Sequence, residues 1–179
     1  MSERAVELHL REIAQLFDSL DPCPFYERDL DPDAEEYIVA SVREFRDRAV
    51  DTIVIHLDQA DGHAAQPQVV EQAIRRHFAR KAKLASGELQ TLVRRGWISL
   101  SIGLAFLTTL LVASEAIALS TWDGPVAGIV RESLLIGGWV AMWKPLEIFL
   151  YDWWPIVARK RFLLRLSEFS VRLRVAGAA

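Results

Sequence analysis

The chain has 179 residues, 51% of them hydrophobic, a formal net charge of −3 and a single cysteine. That length accommodates one small soluble domain plus a short membrane unit. The lone Cys23 excludes an intrachain disulfide and any cysteine-rich metal centre.

Charge divides along the chain. Before about residue 70 the acids dominate, from Asp18 and Asp21 through Asp29, Asp31, Asp33, Glu35 and Glu36 to Asp58 and Asp61. Beyond that point Arg and Lys outnumber acids roughly two to one. The bases cluster where a long apolar segment begins, and no basic stripe with interleaved aromatics precedes it, so nucleic acid is not an expected partner.

The first residues, MSERAVELHLRE, contain no apolar signal-peptide core, and the N-terminus is expected to stay in the cytoplasm. From Ala5 to Leu10 the residues alternate, with Val6, Leu8 and Leu10 on one side and Glu7 and His9 on the other, which predicts a half-buried strand. IAQLF follows, then DSLDPCPFYERDLDPD, whose Asp-Pro and Cys-Pro pairs impose turns or extended backbone. A helix is predicted from Asp31: that residue can cap, Pro32 suits the first helical position, and Asp33, Glu35 and Glu36 place negative charge at the positive end of the dipole. Ala34, Tyr37, Ile38, Val42 and Phe45 mark its core face. Thr52 to Leu57 (TIVIHL) is a second strand, and DQADGHAAQPQ a loop.

From Pro67 a helix resumes with Val70, Ile74 and Phe78 as its apolar stripe, an interruption being expected at Ser86-Gly87. Trp97 to Leu119 is apolar for the length of a bilayer-crossing helix, Glu115 being its only ionisable residue, and a basic collar precedes it. Ser120 to Pro125 is a polar turn. A second span starts between Val126 and Ser133 and ends near Val157, followed by Arg159, Lys160 and Arg161. Basic residues flank both spans on one side, so the positive-inside rule puts both termini in the cytoplasm. Beyond the spans, Phe162, Leu163, Leu166, Phe169, Ser170 and Leu173 fall on one face at helical spacing, predicting a basic amphipathic helix that either lies in the interface with Arg159, Lys160, Arg161 and Arg165 on lipid phosphates or packs against the N-terminal domain.

The expected organisation is therefore an α+β membrane protein: a cytosolic strand–helix–strand–helix domain at 1–66, a basic membrane-proximal helix at 67–96, a two-helix transmembrane hairpin at 97–157 and a C-terminal amphipathic helix at 158–179. Two strands joined through a helix should pair in parallel. A two-stranded sheet is marginal alone, so strands from other subunits or a partner are expected to complete it, which predicts an oligomer.

The second span carries Lys144, Glu147 and Asp152, with Arg131 and Glu132 near its other end. Charges in hydrocarbon cost a few kcal/mol and need a partner. Lys144 and Glu147, three apart, can pair, and Arg131 can meet Glu115. These groups either fix helix register and bind neighbouring subunits or line a pore. Gly137, Gly138 and Ala141 form a small-residue patch permitting close helix approach, with Ser99, Ser101 and Gly103 as its counterpart on the first span. His9 and His56 become neighbours if the strands pair, while His63 falls in a loop and His77 in a helix. No carboxylate–histidine spacing of a known site, phosphate loop or nucleophile elbow emerges. No metal, cofactor or catalytic residue is expected, and the chain is not expected to be an enzyme.

The segments AQLFDSLDPCPFYERDLDPDAEEYIV (14–39) and GWVAMWKPLEIFLYDWWPI (138–156) resemble signatures of a family of small bacterial integral membrane proteins with two spans and an N-terminal cytosolic domain. The resemblance covers most of the chain. It implies a bacterial inner-membrane protein and brings no catalytic residue with it. The functional expectations are a homo-oligomeric scaffold or accessory subunit, with a membrane-protein partner, or an ion or proton channel or small transporter lined by the second span. A third is a lipid-organising protein acting through its C-terminal helix.

Overall fold

The computed structural model describes residues 5–19, 28–45, 50–58, 66–121 and 124–175. Cys23, His63 and the centre of the turn between the two apolar segments lie outside the described residues. The elements are β1 (Ala5–Leu10), a 3-10 turn (Ile13–Leu16), α1 (Pro32–Glu44), β2 (Thr52–Leu57), α2 (Pro67–Leu119), α3 (Pro125–Glu147), a π-helical turn (Ile148–Asp152), α4 (Trp153–Ser167) and β3 (Ser170–Val175). They form two compact units, one of residues 1–83 with 160–179 and the other of residues 84–159.

The first unit is a three-stranded parallel sheet in the order β1-β2-β3. The period of two sends Val6, Leu8, Ile53, Ile55, Leu57 and Val171 into one core with Ile38 and Val42 of α1, Val70, Ile74 and Phe78 of α2, and Leu163 and Leu166 of α4. All the helices of this core therefore pack on one face of the sheet. On the other, Glu7, His9, Arg172 and Arg174 are exposed, with Val54 buried between them.

The start of α1 follows from its local chemistry. Asp31 accepts from the N–H groups of Asp33 (3.0 Å) and Ala34 (3.4 Å), and Pro32 occupies the first turn, where its missing N–H costs nothing. Ile38 and Val42 face the core, but Tyr37, expected there, is half exposed and its hydroxyl donates to the Glu7 carbonyl at 3.2 Å.

Two expectations need correction. The C-terminal helix does not run through Leu173: it ends at Ser167, and Ser170–Val175 is a strand pairing with β2 in register Ile53↔Val171 and Ile55↔Leu173. Phe169, Val171 and Leu173 suit a helix face or a strand face alike; the unpaired edge of β2 decides for strand. The sheet is thus completed by the chain's own C-terminal segment, and the argument from an incomplete sheet to a second subunit lapses. The interruption expected at Ser86-Gly87 is also absent. The helix is continuous there; Gly87 has no neighbouring atoms that a side chain would meet, and the Thr91 hydroxyl donates to the Gly87 carbonyl at 3.0 Å.

The second unit holds the greater part of two helical runs, Pro67–Leu119 and Pro125–Ser167, that are long and apolar enough to cross a membrane. In each, only 11% of the most apolar window is buried, whereas a soluble core helix would be mostly covered. The helices pack antiparallel through glycines. Gly96 lies against Ile148 and Phe149, Gly103 against Ala141, Met142 and Pro145, and Gly138 against Leu107.

Candidate functional site

Polar side chains concentrate in three places, one in the second unit and two in the first. In the second unit, Lys144 Nζ donates to Glu147 Oε2 at 3.0 Å. The two side chains are 65% and 42% exposed, so the pair lies on the outer side of α3, turned away from α2. Ile136, Val140 and Trp143 recur with them at helical spacing, 63%, 67% and 72% exposed, forming an apolar stripe into which the ion pair is set. A recess of 300 Å³, lined by Trp143, Leu146, Glu147, Leu150 and Tyr151, opens beside it.

Pro145 shapes this region. It has no N–H, so the Ala141 carbonyl four residues earlier loses its helical donor. Gly103 of α2 comes so close that a Cβ there would sit 3.1 Å from that carbonyl oxygen. A side chain at this position would therefore press directly on the α3 backbone. Beyond Pro145 the helix widens into the π turn Ile148–Asp152, the expected local response to a broken ladder. The helical run does not end at Lys144-Pro145 but continues to Ser167.

The remaining residues singled out from the sequence are placed as follows. Gly138 and Gly103 sit at the α2–α3 contact, and Gly137 is in ordinary contact with Leu110. Ser101, by contrast, donates to its own helix at Trp97. Glu115 and Arg131 are exposed, and no ion pair joins them among the described residues, where the pairs of this unit are Lys144–Glu147 and Arg159–Glu88 at 3.5 Å. Asp152 is half-buried in the π turn. In the first unit Arg161 is exposed and Lys160 half-buried, while Arg165 donates to the Val50 carbonyl at 3.2 Å. Arg43 stacks over the Phe162 ring at 5.3 Å.

The second cluster centres on His77, which the sequence marked only as a helical residue. It is 3% exposed, with Nδ1 2.9 Å from Asp29 Oδ1 and Nε2 3.1 Å from Glu35 Oε2. One turn further along α2, Arg80 pairs with Asp29 and Lys81 with Glu35. His77, Arg80 and Lys81 share a face of α2 at i, i+3 and i+4 and clasp the segment leading into α1. The acidic run that caps α1 thus also anchors it. Two acids meet two bases and a histidine, tying α1 and the segment before it to α2.

Burial pushes the Glu35 carboxyl up, but the hydrogen bonds and charges of Lys81 and His77 outweigh it and hold it below its ordinary value of 4.5. A depressed folded-state value means that this stabilisation is complete above about pH 4.5 and lost as pH falls through the folded value. Glu35→Gln should therefore lower stability near neutral pH by about 1 kcal/mol, a modest figure because Lys81 is partly solvated. The variant's stability should also fall less steeply than wild type below that pH. Thermal melts of the two proteins between pH 3 and 7 measure both; parallel pH profiles would contradict the assignment.

The third cluster, Glu7, His9 and His56, lies on the open face of the sheet. His9 and His56 are register partners, and their rings stack at 4.5 Å with planes 10° apart. Comparisons with known protein families, with curated proteins and with solved structures find no match.

Proposed function

We propose that the chain is an integral protein of the bacterial inner membrane, with both termini cytoplasmic, that works as a homo-oligomeric scaffold or accessory subunit rather than an enzyme. The observation that carries this reading is the exposed Lys144–Glu147 pair within the apolar part of α3.

Apart from that pair, the hairpin is bounded by charge at matching levels. Positions 96–114, between Arg95 and Glu115, and positions 133–151, between Glu132 and Asp152, are nineteen residues each. At 1.5 Å per residue each spans about 28 Å, close to the roughly 30 Å of a hydrocarbon core. Continuing the glycine register sets Asp152 near the level of Arg94, and Glu132 near that of Glu115. Two independent helices thus mark the same slab. The Ser101, Thr108, Thr109 and Ser133 hydroxyls inside it all donate to carbonyls of their own helices, as hydrocarbon requires. Arg94 and Arg95 share an end with Arg159, Lys160 and Arg161, which makes that end cytoplasmic.

Lys144 then lies only about 3 Å from the middle of the slab along the helix axis, and Glu147 about 8 Å. A lone charge at that depth costs about 2.5–3.5 kcal/mol on insertion scales. Their mutual hydrogen bond offsets part of this, but the outer side of the pair still faces lipid in an isolated hairpin. A second copy of α3 covers it: in a two-fold contact Lys144 of each copy meets Glu147 of the other. The mixed signs favour this cross-bracing over a selectivity ring, which uses one sign.

Native mass spectrometry in mild detergent or lipid nanodiscs should give a discrete homo-oligomer, and Glu147→Gln, which strands Lys144, should shift it to smaller species. A monomer under all conditions would refute the assembly. Ion flux in liposomes that changes with Glu147→Gln would replace the scaffold with a channel.

A further inference from the structure

We propose a divalent transition-metal site on the open face of the sheet, held by Glu7, His9 and His56. Three features of the fold converge there. Parallel pairing puts His9 directly opposite His56. The two-residue period of β1 puts Glu7 on the same face as His9. One ligand atom from each residue then lies within 4.8 Å of the other two, and His56 Nε2 is 3.9 Å from Glu7 Oε2.

The state of His56 points to a ligand. Its Nε2 is shielded from solvent and has no hydrogen-bond partner, the one such buried side-chain atom among the described residues. An unsatisfied buried polar atom costs about 1–3 kcal/mol, and native folds retain few without a use. Buried Val54, the register partner of Glu7 and two residues before His56, puts an apolar side chain beside them on the same face. Two imidazoles and a carboxylate are the donor set of Zn²⁺, Co²⁺, Ni²⁺ or Cu²⁺, not of Mg²⁺ or Ca²⁺, which take oxygen ligands.

Around a tetrahedral ion with bonds of about 2.1 Å, donors sit about 3.4 Å apart. Closing from the present spacing requires the stacked rings to part, since one ion cannot lie in two parallel ring planes. His9 and Glu7 are exposed side chains, so their rotation meets little packing. Arg174, the partner of His56 on β3, is a nearby positive charge on this face, which Arg172, the partner of Val54, shares. It limits affinity, and it leaves the fourth coordination position suited to an anionic or water ligand.

The test uses the full chain without an affinity tag, in detergent, titrated with Co²⁺ and with Zn²⁺ against a chelating dye. Co²⁺ should bind one equivalent per chain with the visible absorption of a four-coordinate nitrogen–oxygen site. His9→Ala and His56→Ala should each weaken binding by more than about tenfold, since even outer-layer partners of a metal are worth that much. His9→Ala alters an exposed side chain and so keeps the test independent of any packing role of His56. Absence of saturable binding, or binding that survives both substitutions, overturns the site. Neither outcome bears on the oligomer proposed for the hairpin, which involves other residues and another measurement.

Discussion

A chain ending at Ser167 should lose its three-stranded sheet while keeping its apolar hairpin. The truncation removes Phe169 and Val171, 3% and 5% exposed, together with the whole β3 ladder along β2. Burying a valine or phenylalanine is worth about 1.5–3 kcal/mol each. Against a domain stability of about 5–15 kcal/mol, that loss plus a row of unpaired backbone groups along buried β2 is decisive, and the two remaining strands are marginal alone. Amide exchange at Thr52–Leu57 measures it: protection should collapse to that of an unfolded segment, while the amides of α3 remain protected. Val171→Asp, which buries a charge between Ile53 and the helices, should have the same effect in the full-length chain. Unchanged protection in β2 would mean that the C-terminal segment is not a strand of this sheet. The distinction also bears on lipid binding. If deletion from Phe162 onward weakens binding to anionic vesicles, an unfolded domain explains the loss as readily as a missing membrane-surface helix.

Gly103→Leu is expected to be the most damaging single change in the hairpin. Its side chain would start 3.1 Å from the Ala141 carbonyl oxygen and 3.2 Å from the Met142 sulfur. Backbone cannot swing aside as a side-chain tip can, so α2 and α3 must separate, at a cost of about 1–3 kcal/mol for overpacking. Separation also uncovers the Ala141 carbonyl, which Pro145 leaves without a helical donor. Gly138→Ala should be milder, because its close neighbour at 2.6 Å is the end of the flexible Leu107 side chain. Gly128→Leu is the control, since nothing lies within 4 Å of its added Cβ. Unfolding in graded denaturing detergent, followed through the Trp97–Phe149 contact by tryptophan fluorescence, ranks the three variants. Equal stability of Gly103→Leu and Gly128→Leu would reject the close helix contact.

Local signals in the sequence located most of the elements. The alternation in AVELHL and TIVIHL, the Asp31-Pro32 start of α1 and the two long apolar segments are each legible within a dozen or so residues, because period, capping and length act locally. Parallel pairing of β1 with β2 followed from the helix between them. The i, i+3 spacing also made the Lys144–Glu147 pair readable.

Other features depended on segments far apart in the chain. Phe169, Val171 and Leu173 satisfy a helix face and a strand face equally, and only the free edge of β2, more than a hundred residues earlier, made them a strand. His77 carried no local sign of burial; its role arises because α2 brings it against Asp29 and Glu35, two acids that otherwise read as a charged helix start. Ser86-Gly87 looks like a break by propensity, a weak local preference that a long helix overrides. Glu7, His9 and His56 come together only once register is set, since a shift of one residue would turn His56 to the opposite face. Sequence by itself determined what each stretch can be, through periodicity and capping. Tertiary structure decided what the ambiguous stretches are and which polar groups meet, because those choices depend on partners that only folding supplies.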